Sequence, residues 1–591
     1  MNALPFIALA GAVLLLVVWA GGIVPAAVCL AAALTCGMAV LADWRRGAAC
    51  LPAGSPRPFP WLETLCLAVL AFVALTLLPL PPLADLIVGA TRRAHNETVR
   101  QALRDLAVCG VRVDPSPWFA LSQNRAGTGR ALLLLAAVFG AGSLASRLPR
   151  RGRLAWLGLL VGLGTAVGIA GYLGQWKFPQ GDTLWWFFPV SPARPGPVGG
   201  FINRNHFGGF LAMLVPVAMG LAAWAWMARR RVSALAAVAA SLVMVFALLM
   251  SLSRGAVLAL AAGLAGTVVA ALWRRRMRAG LFVLAGGALL AAGIVFFPND
   301  VVQSRVRTLR HPGGDLSVQT RLDEWQDSLR VWTHYPVVGA GANALRMVYP
   351  QYRQSTSSKW LEHAENMPVE LLADGGLVGV ALTALLAGAL ARRARSGPAV
   401  LPAICRLGIG GALIVAATHA LCDFPILLPA YAIVLATLVG LLLPPPLPDR
   451  GVRRALRLAP ALAGLLAAGW LAVAGLADLR RMDEPSVLAA SSVPTLERAL
   501  CWAPSCWQAW DYLGVAVARE GVELPSLRRC IMGERLASQA ALYDPQNYRL
   551  WYQLGEFRLA LRDDDGAASA FARAKALRPW LITPSMNNPG R

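Results

Sequence analysis

The sequence predicts an all-α fold: a polytopic membrane helix bundle of about thirteen spans, followed by an α-helical repeat domain. Of 591 residues, 57% are hydrophobic and only 15% charged, with a mean hydropathy of +0.55. A soluble chain carries about a quarter charged residues, so much of this surface must face lipid. Apolar runs recur at lengths that cross roughly 30 Å of hydrocarbon. After Arg480 the apolar character drops and the pattern turns amphipathic. The net charge of +24 invites a nucleic-acid reading, but the basic residues fall in short clusters between apolar runs. That is the spacing of topology signals and not of a continuous basic groove.

The spans are expected at about 4–20, 22–42, 61–82, 127–146, 154–173, 205–227, 233–252, 255–273, 279–298, 368–391, 399–419, 426–446 and 458–477. The N-terminus has no basic region and no clear cleavage site, so its first apolar run reads as an uncleaved span. Basic clusters at Arg45/Arg46/Arg57, Arg147/Arg150/Arg151/Arg153, Arg229/Arg230/Arg231, Arg274/Arg275/Arg276/Arg278, Arg392/Arg393/Arg395 and Arg450/Arg453/Arg454/Arg457 occupy alternate loops. The positive-inside rule makes those loops and the N-terminus cytoplasmic. An odd number of spans then puts the C-terminus outside. The expected division is a membrane domain at 1–478, with a large outer loop at 299–367, and an outer domain at 480–591.

In the tail, Trp510–Gly514 and Trp551–Gly555 both read W-x-x-L-G, and each follows a proline, Pro504 and Pro545. Small residues at Ala567, Ala570 and Ala572 and a closing Pro579 complete a pattern that resembles the tetratricopeptide repeat. The spacing of 551 − 510 = 41 residues requires an insertion near 521–527. A generic helical hairpin domain is the plainer reading. None of the ten cysteines stands in a zinc-type spacing, and a disulfide among Cys501, Cys506 and Cys530 is open.

Function is sought at ionisable residues stranded on outer membrane edges, where they are costly. Asn203-Arg204-Asn205-His206, followed by Phe207-Gly208-Gly209, gathers donors at the start of a span. A helix N-terminus adds to such an anion site, although an interfacial Arg also snorkels to water. Ser251-Leu252-Ser253-Arg254-Gly255 puts one Arg in a tight outer turn, with no Asp or Glu in either adjoining span. The outer loop carries Thr320-Arg321 and Trp325, then His334-Tyr335-Pro336 with Gly339 and Gly341, then His363-Ala364-Glu365-Asn366 leading into a span. A His beside a carboxylate suits a general base. His95, His311, His334 and His419 are assigned structural hydrogen bonds.

Together these segments resemble the O-antigen ligase/polymerase family of bacterial envelopes. FINRNHFGGFLAMLVPVAMG is similar to its N-R-N-H-F segment and MSLSRGAVLAL to its S-R-G turn. TRLDEWQDSLRVWTHYPVVGAGANALRMVYPQY is similar to its R-x-x-x-W…P-x-x-G-x-G stretch, and HAENMPVELLADGGLVGV to its closing H-x-x-N segment. The match runs in consistent order over roughly residues 120–440. The resemblance implies a GT-C-like glycosyltransferase of the bacterial inner (cytoplasmic) membrane with its outer face in the periplasm. It would transfer a glycan from an undecaprenyl-diphosphate carrier to an acceptor hydroxyl, inverting the anomeric centre, with no cofactor and no metal. On the matching positions Arg204 and Arg254 would bind the diphosphate, and His363 would orient or deprotonate the acceptor. Asn203, Asn205, His206, Arg321 and Asn366 would support them. Many relatives read H-x-H-N where this chain has Glu365, which leaves His363, Glu365 or the pair as the base. Lipid A core of lipopolysaccharide, a growing polysaccharide and a protein all remain acceptors, and the tetratricopeptide-like tail suits a protein partner. A solute or anion transporter and a non-catalytic envelope scaffold are the alternative readings.

Overall fold

Apolar helices gain nothing by exchanging lipid for one another, so they associate where small residues let their backbones approach. The computed structural model, which describes residues 4–18, 30–39, 61–80, 89–108, 113, 119–177, 183–184, 188–189, 199–273, 316–355, 361–445, 462, 489, 491–523 and 527–584, shows such crossings. The first part of the bundle comprises α1 (Leu4–Val18), α2 (Leu30–Ala39), α3 (Trp61–Leu77), α5 (Arg125–Ser146), α6 (Arg150–Lys177), α7 (Arg204–Met227), α8 (Arg231–Met250) and α9 (Arg254–Trp273). Past the outer loop, α12 (Met367–Arg395), α13 (Ala403–His419) and α14 (Pro429–Leu442) complete it. The α7–α13 crossing is at Gly220 and Gly408, where a Cβ on Gly408 would lie 2.5 Å from the Pro216 carbonyl oxygen. Gly263 and Gly411 serve the α9–α13 crossing, and Gly142 and Gly440 the α5–α14 crossing.

Six of the described helices are long and apolar enough to span a membrane: α5, α6, α7, α8, α9 and α12. The chain is thus a multi-pass membrane protein. The expected span at 279–298 lies outside the described residues, and so does that at 458–477 except for position 462. At 61–82, 399–419 and 426–446 the apolar runs are longer than the helices they make, Trp61–Leu77, Ala403–His419 and Pro429–Leu442. The run at 426–446 spends its start on a 3₁₀ turn, Pro425–Leu427, before Pro429 opens a 14-residue helix that stops ahead of Pro444. Proline at a first helical position and after a C-terminus explains both limits.

The arginine clusters of the described helices gather at one end of the bundle. Arg153 is 1% exposed and donates to the carbonyls of Ser146 (2.5 Å), Leu148 (2.9 Å), Leu441 (2.5 Å) and Leu443 (2.9 Å). It therefore satisfies orphan carbonyls at the ends of two helices, α5 and α14, besides adding positive charge there. Pro444 meets Gly397 at that same end, just past the C-terminus of α12.

Beyond the opposite end lie α4 (Ala90–Val108), α10 (Leu316–His334), α11 (Leu345–Tyr352) and the tail helices α15 (Val493–Trp502), α16 (Trp507–Glu523), α17 (Leu527–Tyr543), α18 (Tyr548–Ala560) and α19 (Asp564–Leu577). Helix α4 buries Val99, Leu103 and Leu106 in one core with Leu496, Trp510 and Leu536 of the tail. An ion pair, Arg353–Asp544 at 2.8 Å, joins α11's C-terminus to the end of α17, and burial holds the Asp544 pKa up against the pull of Arg353. The two tail hairpins repeat one contact set. The Trp510 indole N–H donates to the Pro504 carbonyl at 2.8 Å, and that of Trp551 to Pro545 at 3.0 Å. The following glycines, Gly514 and Gly555, touch the partner helix at Gly533 and Phe571. No disulfide joins Cys501, Cys506 or Cys530. Trp510 is fully buried, so Trp510→Ala should destabilise the tail by about 3–5 kcal/mol. Faster proteolysis of the tail in the full-length protein checks this, and an unchanged cleavage rate would refute it.

Candidate active site

Two helix N-termini meet at the tail-side end of the bundle. Asn203 caps α7 by accepting the Asn205 N–H at 2.8 Å, which makes Arg204 the first helical residue, with its side chain exposed. Arg254 is likewise the first residue of α9, after a turn in which Leu252 adopts a φ of +56°. The two starts touch: a Cβ on Gly208 would lie 2.9 Å from Ser251 Oγ and 3.1 Å from Ser253 Cβ. The two helix starts, each opening on an arginine, thus share one face, and helix N-termini favour an anion.

A loop ahead of α12 and the turn after α13 close the same face. Asn366 caps α12, accepting the Val369 N–H at 3.2 Å, while its Nδ2 donates to the Leu421 carbonyl at 3.0 Å. Arg321 of α10 pairs with Glu365 at 2.8 Å and donates to the Cys422 carbonyl at 2.7 Å. Phe424 contacts both imidazoles, with ring centroids 4.2 Å from His363 and 4.7 Å from His206. Buried Asp423 lies between two histidines, 3.2 Å from His206 Nε2 and 3.6 Å from His419 Nε2. The turn after α13 is therefore the hub: it touches α7 through His206, α10 through Arg321, and the α12 loop through Asn366 and His363.

His363 Nδ1 lies 2.5 Å from Glu370 Oε1, and Glu370 Oε2 accepts the Ala364 N–H at 2.9 Å. Burial works against a charged His363, but the Glu370 carboxylate outweighs it and holds the imidazole pKa above its ordinary value.

Behind the loop, the segment Pro336–Leu345 docks on a kink in α12. Ala340 and Gly341 donate to the carbonyls of Ala373 (2.8 Å) and Asp374 (2.9 Å), and Leu377 and Val378 donate back to those of Pro336 and Val337 (both 3.0 Å). The Asp374 carboxylate accepts the N–H groups of Asn343 (2.6 Å), Ala344 (3.2 Å) and Leu345 (2.8 Å). The exchange needs Gly376, whose φ of 59° and ψ of −163° suit a residue without a Cβ. Beside this kink a mostly apolar cavity of about 840 Å³ runs between α3, α5, α12 and α14, from Asn343, Glu370 and Leu421 at one end to Arg147 and Arg393 at the other. Arg204, Arg254 and His363 are not among the described residues that line it.

All nine residues singled out from the sequence thus lie on or around one face, but their pairings differ from sequence proximity. His363 meets Glu370 and not its near neighbour Glu365, which is turned to Arg321. Glu370, Asp423 and Phe424 were not singled out. Glu370 carried a signal: an acid in the first turn after an Asn cap stands where it can accept backbone N–H groups ahead of the helix. Asp423 carried another, an acid in a short turn between apolar runs.

This fold and this face define a polytopic helical membrane protein with a polar centre at one end of its bundle. Residues 239–384 match the family model for O-Antigen ligase, so this segment is similar to that family. The matched span contains Arg254, Arg321, His363, Glu365 and Glu370, whereas Arg204 precedes it. That segment match supports glycosyl transfer of the O-antigen ligase or polymerase type. Among curated proteins, none matches the chain.

Proposed function

We propose that the protein transfers a glycan from an undecaprenyl-diphosphate carrier to an acceptor hydroxyl at the periplasmic face of the bacterial inner membrane. The observation that carries this reading is the meeting of the Arg204 and Arg254 helix starts with the His363 loop around the turn at Cys422–Phe424. Arg204 and Arg254 hold the carrier diphosphate. Fixed guanidiniums and helix N-termini balance the charge that grows on the leaving group, a task that a divalent cation performs elsewhere. The acceptor oxygen bonds to the anomeric carbon while the bond from that carbon to the diphosphate oxygen breaks, its electron pair leaving with the diphosphate. His363 takes the acceptor proton. Attack opposite the leaving group inverts the centre. The apolar cavity offers walls suited to the polyprenyl chain.

In this orientation the N-terminus is cytoplasmic, and the tetratricopeptide-like domain at 480–591 sits in the periplasm against the membrane domain at 1–478. There it offers a surface for a protein partner. The acceptor is lipid A core, a growing polysaccharide or a protein. Incubating the purified full chain with an undecaprenyl-diphosphate glycan and each acceptor, with mass analysis of products, tests the reading. Release of undecaprenyl diphosphate together with a glycosylated acceptor is expected. An intact donor with every acceptor, or uptake of a labelled anion that depends on Arg204, would contradict it.

A further inference from the structure

The loop ahead of α12 offers two carboxylates to one imidazole. Glu365 is two residues from His363, but its backbone is left-handed, with a φ of +50°, and its side chain pairs with Arg321. Glu370 is seven residues away, yet it stands in the first turn of the helix that the loop enters, and it is 2% exposed. One of its oxygens meets His363 Nδ1 at 2.5 Å, and the other accepts the backbone N–H of Ala364 at 2.9 Å. Both oxygens are therefore spent on the two residues that carry and follow the imidazole. Phe424 covers the ring at a centroid distance of 4.2 Å and a tilt of 33°. Together these contacts fix the ring in position and orientation.

We propose that Glu370 is the positioning residue for His363, engaging Nδ1 so that Nε2 is the nitrogen that takes the acceptor proton, while Glu365 latches the loop to Arg321. The proposal rests on the reading of His363 as the base. A carboxylate on the far nitrogen of an imidazole selects its tautomer and stabilises the imidazolium that forms when the proton arrives. The charges that face His363 agree with this role. Glu370 and Asp374 come from α12 and Glu362 from its own loop, and all three favour the protonated ring. On the neighbouring elements, Arg346 of α11 answers Glu362 and Asp374, Arg321 of α10 answers Glu365, and the turn after α13 presents the neutral Phe424, with Asp423 beside it held between His206 and His419.

The test follows the imidazole itself, in full-length protein in nanodiscs with labelled histidine, the His363 signal being assigned by its loss in His363→Gln. Glu370→Gln should weaken the proton affinity of His363 at least about tenfold, and Glu365→Gln should leave it in place. Transfer kcat should fall roughly 100-fold at pH 7 in Glu370→Gln, with the acid limb of its pH profile moved to lower pH, and Glu370→Asp should recover part of the loss. Glu365→Gln moving the His363 titration while Glu370→Gln does not would overturn the proposal. If Glu370→Gln shifts the titration as expected but the wild-type protein transfers no glycan, the pairing stands and the transferase reading falls.

Discussion

Arg254→Ala should lower glycan transfer by about 10²–10³-fold, the loss of about 2.7–4 kcal/mol seen when one fixed donor is removed from a developing anion. Arg254 begins α9 against the start of α7, so in the proposed site its charge adds to that of Arg204 and of two helix ends. Arg254→Lys should recover only part of the rate, because an ammonium keeps the charge but loses the planar fork that grips two phosphate oxygens at once. Insertion and thermal stability should remain near wild type, since the side chain stands at the first position of α9 and is only partly buried. Transfer rates in reconstituted vesicles, measured beside a thermal melt, check both halves of the expectation. A normally inserted Arg254→Ala protein that works at the wild-type rate would remove the diphosphate role.

Gly376→Ala should have the largest structural effect of any single methyl added to α12. Its backbone is left-handed, and a Cβ there would lie 2.5 Å from the Gly339 nitrogen and 2.5 Å from the Val337 carbonyl oxygen. Those are backbone atoms of the docked segment, so no side chain can swing aside. Strain at such a position costs about 1–3 kcal/mol, and overpacking adds about 1–3 kcal/mol. The docked segment should detach, taking with it the Asp374 contacts and the cavity wall at Asn343. Gly388→Ala in the same helix is the control, because a Cβ there meets nothing within 4 Å. The melting temperature of each variant in detergent, read with its transfer rate, decides the matter. An unchanged melt for Gly376→Ala would show that the segment does not depend on the kink.

Much of the bundle was legible because the chemistry is one-dimensional there. A run of apolar residues has to be a helix in lipid, since every backbone group must find its partner within the segment. Helix ends were less legible where proline intervenes, as at Pro425 and Pro429, because an apolar run gives no sign of being spent on a turn. The face holding Arg204, Arg254 and His363 was legible from the cost of stranded charge. Its pairings were not. The left-handed backbone at Glu365 and the cap at Asn366 decide which carboxylate meets His363, and neither shows in residue spacing. Arg153 shows the converse: it reads as a topology charge, while its guanidinium also closes four carbonyls. In the tail, the proline six residues ahead of each tryptophan is the acceptor for its indole N–H, so the repeated spacing in sequence is a repeated hydrogen bond in space.

The central claim is that paired guanidiniums at two helix starts hold a diphosphate. Comparing the affinity of purified protein for undecaprenyl diphosphate and for undecaprenyl monophosphate tests it most directly. The wild-type protein should bind the diphosphate at least about tenfold tighter, because each added charge-assisted contact contributes about 1.5–3 kcal/mol. The preference should vanish in the Arg204→Ala/Arg254→Ala double variant. Equal binding of the two lipids, or a preference that survives in a correctly inserted double variant, would contradict the claim.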